Sequence, residues 1–460
     1  MKKLFGDKAF YKKVLAIAIP IIIQTGISNF VNMLDNIMVG QVGTEQMSGV
    51  AVVNQLMFVF NLALFGATSG PGIFTAQYVG QKNDEGVRNT VRFKLIVSLV
   101  LSALGIIVFS LFQNSLISMF LHDNGDGLNL VATLGYARDY LFVMLFGLVP
   151  FAITCAYAGT LRESGETKVP MYAGLIAVGV NLIFNYILIF GHFGAPRLGV
   201  KGAAIATVLS RFVELGIVVI WTHTHKERAA FASGLYKGFR VPWDLCKKII
   251  VTGTPLFFNE FCWSLGMSMV TQCYSMRGLE VIAAFNISNT IVNLFNVILI
   301  SMGNVTAIIV GQVLGSGDTK EVVDTDRKLI ALSVLASAAM ALILFATAPL
   351  FPKFYNTTDE IRSLSVKLMW VAALQMPFGA YLNSAYFTIR SGGKTFITFL
   401  FDSVFLWVVS WPVAFFLSRF TTIYIVPMYL IVLSLDLIKV FIGAMLLKKR
   451  IWINDLVSEM

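Results

Sequence analysis

PIIIQTGISNFVNMLDNIMVGQVGTEQMSGVAVVNQLMFVFNLALFGATSGPGIFTAQYVG, residues 20–80, returns 235 positions later as PLFFNEFCWSLGMSMVTQCYSMRGLEVIAAFNISNTIVNLFNVILISMGNVTAIIVGQVLG, residues 255–315. Without a gap, Pro20 recurs as Pro255, Gly43 as Gly278, Glu45 as Glu280, Asn54 as Asn289, Asn61 as Asn296, Gln77 as Gln312 and Gly80 as Gly315. A second block repeats at an offset of 228: Thr160, Arg162, Gly165 and Thr167 return as Thr388, Arg390, Gly393 and Thr395. Offsets that differ by seven residues describe one duplicated unit with a shortened loop.

The letters between the matches are mostly apolar. The chain of 460 residues is 57% hydrophobic and 13% charged, against about a quarter charged in soluble globules. Its solvent is therefore lipid. A spanning helix needs roughly 20 apolar residues, and about twelve such stretches occur, near 14–39, 47–72, 93–115, 131–160, 169–191, 200–222, 247–273, 280–312, 327–348, 360–388, 395–418 and 422–447. Short alternating segments are not evident, which argues against a barrel. The 35 basic residues exceed the 25 acidic ones, but they cluster before span 1 and after every even-numbered span, while the opposite loops carry few. By the positive-inside rule this is membrane topology with both termini cytoplasmic, and nucleic-acid binding is excluded.

Six spans per copy is an even number, so both copies enter the membrane in the same direction and the repeats are parallel. The predicted organisation is a cytoplasmic segment 1–13, an N-lobe 14–222, a cytoplasmic linker 223–246, a C-lobe 247–447 and a cytoplasmic tail 448–460. Pro20 and Pro255, a kink position present in both copies, are expected to shape the first helix of each lobe.

Ionisable residues inside spans are costly, about 2.5–3.5 kcal/mol each on insertion scales, and so mark cavities, partners or function. They are Asp35, Arg211, Glu214, Glu260, Asp402, Asp436 and Lys439. Arg211 with Glu214, and Asp436 with Lys439, are spaced i, i+3 and are expected to neutralise each other on one helix face. Asp402 has no local partner. Asp35 has no basic residue within a turn, although Asn32 and Asn36 adjoin it, and the apolar fifth span carries Asn181 and Asn185 one turn apart. Such a carboxyl can exchange a proton. The same oxygens suit Na⁺, and a buried hydrogen-bond cluster without ion traffic is the structural alternative. Glu260 follows Pro255 by little more than a turn and is read either as a contact for a cationic substrate or second cation, or as a packing residue. Asn54, Asn289 and Gln375 add uncharged polar groups along spans 2, 8 and 10. Transient Na⁺ at Asp35 or Glu260 is the only metal contemplated, and no cofactor is expected.

Catalytic motifs are not met. SGGKT at 391–395 lacks the first glycine of a phosphate-binding loop, since position 388 is Thr. HDNGDG from His122 lacks calcium-loop spacing, and the four histidines, all in predicted loops, form no zinc or triad arrangement. An enzyme is not expected.

With Pro20, Asp35 and LDNIMVGQVG in view, the chain resembles the multidrug and toxin extrusion (MATE) family over nearly its whole length. The family's span 1 carries a proline and, fifteen residues later, an aspartate followed by I-M-x-G, here Pro20, Asp35, Ile37, Met38 and Gly40. Its Q-x-x-G near the end of span 2 reads Gln77 and Gly80. Its R-x-x-G-x-T after span 4 reads Arg162, Gly165 and Thr167. The resemblance implies twelve transmembrane helices in two six-helix lobes forming a V-shaped central cavity. It implies efflux of organic cations or drugs in exchange for H⁺ or Na⁺ by alternating access, with Asp35 as the coupling carboxylate. The DinF-like branch pairs that aspartate with an Asn and an Asp in span 5, where this chain has Asn181 and Asn185. The NorM-like branch uses a Glu in span 7 and an Asp in span 10, where this chain has Glu260 and, in span 10, Gln375 and Asn383. The DinF-like branch and H⁺ are the expectation, with Asp35, Asn181 and Asn185 as the ion-coupling set and Glu260, Asn54, Asn289, Gln375 and Asp402 as candidates for substrate or a second cation. A monomer in the bacterial inner membrane is expected. The alternative is a flippase for lipid-linked oligosaccharides, which would favour a basic cavity.

Overall fold

The computed structural model describes residues 5–119, 129–238, 240–355 and 357–458, apart from the side chains of Asn32, Met33, Asn36, Ile37 and Leu279. His122 and the HDNGDG run lie outside the described residues. The chain is all helical: α1 (Lys8–Gly40), α2 (Thr44–Gly80), α3 (Asp84–Ser118), α4 (Leu130–Leu145), α5 (Leu148–Glu163), α6 (Lys168–Phe190), α7 (Val200–Thr224), α8 (Trp243–Ser275), α9 (Leu279–Gly315), α10 (Thr319–Thr347), α11 (Asp359–Ser391), α12 (Thr395–Phe399), α13 (Trp411–Phe420), α14 (Ile425–Ser434) and α15 (Asp436–Lys448). Two π-helical stretches, Leu400–Val404 and Leu406–Ser410, join α12 to α13.

Among the described residues nine helical spans are long and apolar enough to cross a membrane, ten if α4 and α5 form one bent span. The helices that fall short, α8 and α11, are 33 residues each. At 1.5 Å per residue they reach about 50 Å, longer than the roughly 30 Å hydrocarbon core. They are also the ones that carry Asn259 with Glu260, and Gln375 with Asn383. The pattern of burial is that of a chain with an apolar surround. On α3 the exposed face is Leu99, Val100, Leu104, Ile107, Val108, Leu111 and Phe112, whereas the buried face mixes Lys94, Ser98 and Ser102 with Leu95, Phe109 and Ile117. An exposed face so apolar is the reverse of a helix facing water.

The chain forms two compact units. One comprises Ile23–Thr75 and Asp84–Ile249, and the other Met1–Ile22, Ala76–Asn83 and Ile250–Met460. The first is cored by residues such as Val53, Leu64, Leu141, Leu148, Ala152 and Ala204. In the second, Val14, Ala18 and Ile21 pack with Val305, Ile309, Val310 and Trp452. Here the repeated Q-x-x-G finds its reason: a Cβ on Gly80 would overlap the Gln312 carbonyl, and one on Gly315 would overlap the Gln77 carbonyl. Residues equivalent at offset 235 thus contact each other reciprocally, as a local two-fold requires. The repeated R-x-x-G-x-T has a different reason. Gly165 and Gly393 take φ of 90° and 73°, the left-handed region that favours glycine.

Two sequence expectations, on span 4 and on the histidines, are modified. Span 4 is broken, its halves α4 and α5 bent by 49°. Pro150 lacks the N–H that would close a turn onto the Phe146 carbonyl, and Arg211 Nη1 adds a bond of 3.1 Å to the Gly147 carbonyl, which also accepts from Phe151 N at 3.2 Å. The connection at 223–246 packs in part against α3. Ala229, Phe231, Ala232 and Leu235 are buried, and Arg88 and Arg92 bind the carbonyls of Phe231, Gly234 and Leu235 at 2.8–3.3 Å. Not all histidines are in loops. His223 lies in the last turn of α7, 3.0 Å from the Tyr157 hydroxyl.

Candidate functional site

Asp35 on α1 meets α6 in the first unit, and α6 packs in turn on α7. Asn181 and Asn185 are buried, one turn apart, so both amides face the same neighbours. Asn185 Nδ2 donates to Asp35 Oδ1 at 2.6 Å. The Asn181 amide, oriented by its surroundings, donates to Asp35 Oδ1 at 2.9 Å and Oδ2 at 3.1 Å, and its oxygen lies 3.3 Å from Thr207 Oγ1. Thr207 in turn donates to the Ala203 carbonyl at 3.0 Å. The three residues singled out in the sequence are therefore brought together around one carboxyl group, with Thr207 as an added member. Among the described residues no cation forms a salt bridge to Asp35. Among the described residues its hydrogen-bond partners are amide donors, and Asn185 Oδ1 is buried without a partner.

A second polar cluster lies in the other unit, on α8, the π-helical stretch and α15. Asn259 Nδ2 donates to Asp402 Oδ2 at 3.3 Å and to Tyr386 Oη at 3.2 Å. Ser403 Oγ donates to the carbonyl of Asn259 at 2.8 Å and lies 2.7 Å from its Oδ1. Lys439 Nζ binds Asp402 Oδ1 at 3.1 Å. The wide π turn lets the consecutive residues Asp402 and Ser403 both reach Asn259, and π segments of this kind recur at functional sites. Lys439 thus pairs across helices with Asp402. The expected i, i+3 pair with Asp436 is not formed, because Asp436 accepts from Gln375 Nε2 at 2.8 Å instead. Arg211 and Glu214 likewise form no salt bridge among the described residues, since Arg211 is drawn to the Gly147 carbonyl and lies over the Phe151 ring at 4.7 Å. Glu260 is partly buried beside this cluster, within electrostatic reach of Arg390 and Asp402.

The remaining candidates separate from both clusters. Asn54 and Asn289 are exposed on α2 and α9. Pro20 and Pro255 lie inside α1 and α8, which stay helical on both sides. Sequence reasoning missed two buried charges near the repeated threonines. Lys94, 1% exposed, is ion-paired with Glu163 and donates to Thr160 at 3.2 Å. Thr388 donates to Asp326 at 2.5 Å. Thr160 and Thr388 are repeat partners, so the repeat itself carried a signal for these positions. Among the described residues no group of His, Cys, Asp and Glu is arranged to hold a metal ion.

A profile of the MatE family matches residues 20–187 and 255–416, the two halves in turn. The chain belongs to the MatE family. It is 28% identical over 417 residues to "Probable multidrug resistance protein NorM" of Thermotoga maritima, covering 89% of this chain and 86% of that one. It is 23% identical over 415 residues to "Probable multidrug resistance protein YoeA" of Bacillus subtilis, covering 89% and 88%. The fold matches an outward-facing multidrug resistance MATE family transporter with a TM-score of 0.85 at 19% identity, over 97% of this chain and 96% of that one. It matches a mutant of the Vibrio cholerae MATE transporter VcmN with a TM-score of 0.85 at 15% identity, over 96% and 97%.

Proposed function

We propose that this protein is a secondary antiporter that exports organic cations and drugs across the bacterial cytoplasmic membrane in exchange for H⁺, by alternating access of its two halves. Family membership, the transporter fold and the names of the relatives support export. The observation that carries the coupling assignment is the shell of Asp35. Its oxygens are met by the amide nitrogens of Asn181 and Asn185, which are donors suited to a carboxylate that gains and loses a proton. Na⁺ would need several converging oxygens. Deprotonated Asp35 is held by these donors; protonation removes the charge that they stabilise and so changes which state of the transporter is favoured. A proton gradient supplies about 1.4 kcal/mol per pH unit, enough for roughly tenfold accumulation, and about 2.3 kcal/mol per 100 mV for each net charge moved, enough for roughly fiftyfold. Both termini are assigned to the cytoplasm by the basic loops, and the working form to a monomer. Ethidium efflux from proteoliposomes under separately imposed H⁺ and Na⁺ gradients tests the reading. An H⁺ gradient alone is expected to drive efflux, and efflux driven only by Na⁺ would refute the coupling assignment.

A further inference from the structure

Lys439 does more than neutralise Asp402. Its ammonium lies 5.5 Å from the Phe401 ring centroid and 5.8 Å from that of Phe405, and 3.1 Å from Asp402 Oδ1. Two aromatic rings and a carboxylate around one ammonium are the chemistry by which proteins recognise organic cations. The cage is held rigidly: Asp402 Oδ2 accepts from Asn259, which Ser403 fixes from the same π-helical stretch. It is not sealed, since the side chains of Lys439 and Asp402 are 13% and 21% exposed. Lys439 reaches it from α15, so the ammonium can leave by rotation of its own side chain without disturbing the helices that build the cage.

We propose that this cage is a binding site for the ammonium or aromatic cation of the cargo, and that Lys439 is a tethered competitor that occupies it until cargo arrives. The proposal deepens the transport reading by locating a cation subsite, and it rests on that reading for the identity of the cargo. It makes Lys439 a residue that sets specificity. A weak or small cation fails to displace the lysine, whereas a flat aromatic cation replaces its contacts with the rings and the carboxylate. The displaced ammonium remains nearby, within electrostatic reach of Asp436.

Equilibrium binding of ethidium to the purified full-length protein, followed by fluorescence anisotropy, tests the site without requiring transport. Lys439→Gln is expected to lower Kd roughly fivefold, equivalent to about 1 kcal/mol. The double variant Lys439→Gln with Asp402→Asn is expected to lose that gain. A Kd within about twofold of wild type in the single variant, or the same gain in the double variant, would overturn the proposal. Should the single variant not fold, the unmodified protein decides. Acetylation of Lys439 by an N-hydroxysuccinimide ester, read by mass spectrometry, is expected to accelerate when ethidium saturates the protein. An unchanged or slower rate would overturn it. Failure of wild-type efflux would sink the transport reading instead, whatever the binding result.

Discussion

Asp35 is a single carboxyl group whose partners are amide nitrogens on the neighbouring helix α6, so its charged form depends on donors that can be removed one at a time. Loss of one donor to a buried polar group costs about 1–3 kcal/mol. Asn185→Leu is expected to reduce ethidium efflux about tenfold at a fixed proton gradient, the equivalent of about 1.4 kcal/mol, while the amount of protein in the membrane stays at the wild-type level. Vesicle efflux with an immunoblot control checks this. At this scale the sequence was informative where a polar residue stood out against lipid-facing neighbours, as Asp35, Asn181 and Asn185 do. It was silent about partners chosen across helices. Lys439 and Asp436 have helix-neighbour spacing, yet Lys439 binds Asp402, because tertiary geometry sets pairing between helices and spacing along one helix does not encode it.

At the scale of elements, two devices join helix to helix. Where α4 breaks into α5, Arg211 covers the Gly147 carbonyl. Arg211→Met removes this second donor, while the Phe151 N–H stays on the same carbonyl, and is expected to lower the thermal midpoint in detergent, read by intrinsic fluorescence, with an underlying cost of about 0.5–1.5 kcal/mol. Where the ends of α2 and α9 cross, Gly80 and Gly315 allow backbone contact. Gly80→Ala forces a methyl group into the Gln312 carbonyl, which has no flexible side chain to yield, and is expected to destabilise by about 1–3 kcal/mol in the same assay. The prolines and glycines that mark these places are visible in the sequence, whereas the 49° bend and the π turns at Asp402 have no signature of their own. Their angles emerge from packing.

At the scale of the molecule, the duplication explains why two halves exist, and the broken positions explain why they differ. The first unit carries a carboxyl held by amides, and the second a carboxyl held by an ammonium. The chain after α15 also belongs to the architecture, although the sequence offered it only as a cytoplasmic tail. Trp452 is 1% exposed. Gln77 Nε2 binds the carbonyls of Ser391 and Asn454 at 2.9 and 3.2 Å, and its oxygen accepts from Leu456 N at 2.8 Å. Trp452→Ala is expected to cost about 3–5 kcal/mol, as large-to-small changes in cores do, and to lower the thermal midpoint more than either element-scale variant. These contacts were illegible beforehand because a short segment rich in polar residues shows no periodicity from which its docking could be read.

The central claim, that a proton taken up at Asp35 drives export, is tested most directly by ethidium efflux from proteoliposomes under an imposed pH gradient, with wild-type protein and Asp35→Asn reconstituted at equal density. Gradient-driven efflux is expected for the wild type and none for Asp35→Asn. Undiminished efflux by Asp35→Asn would contradict it.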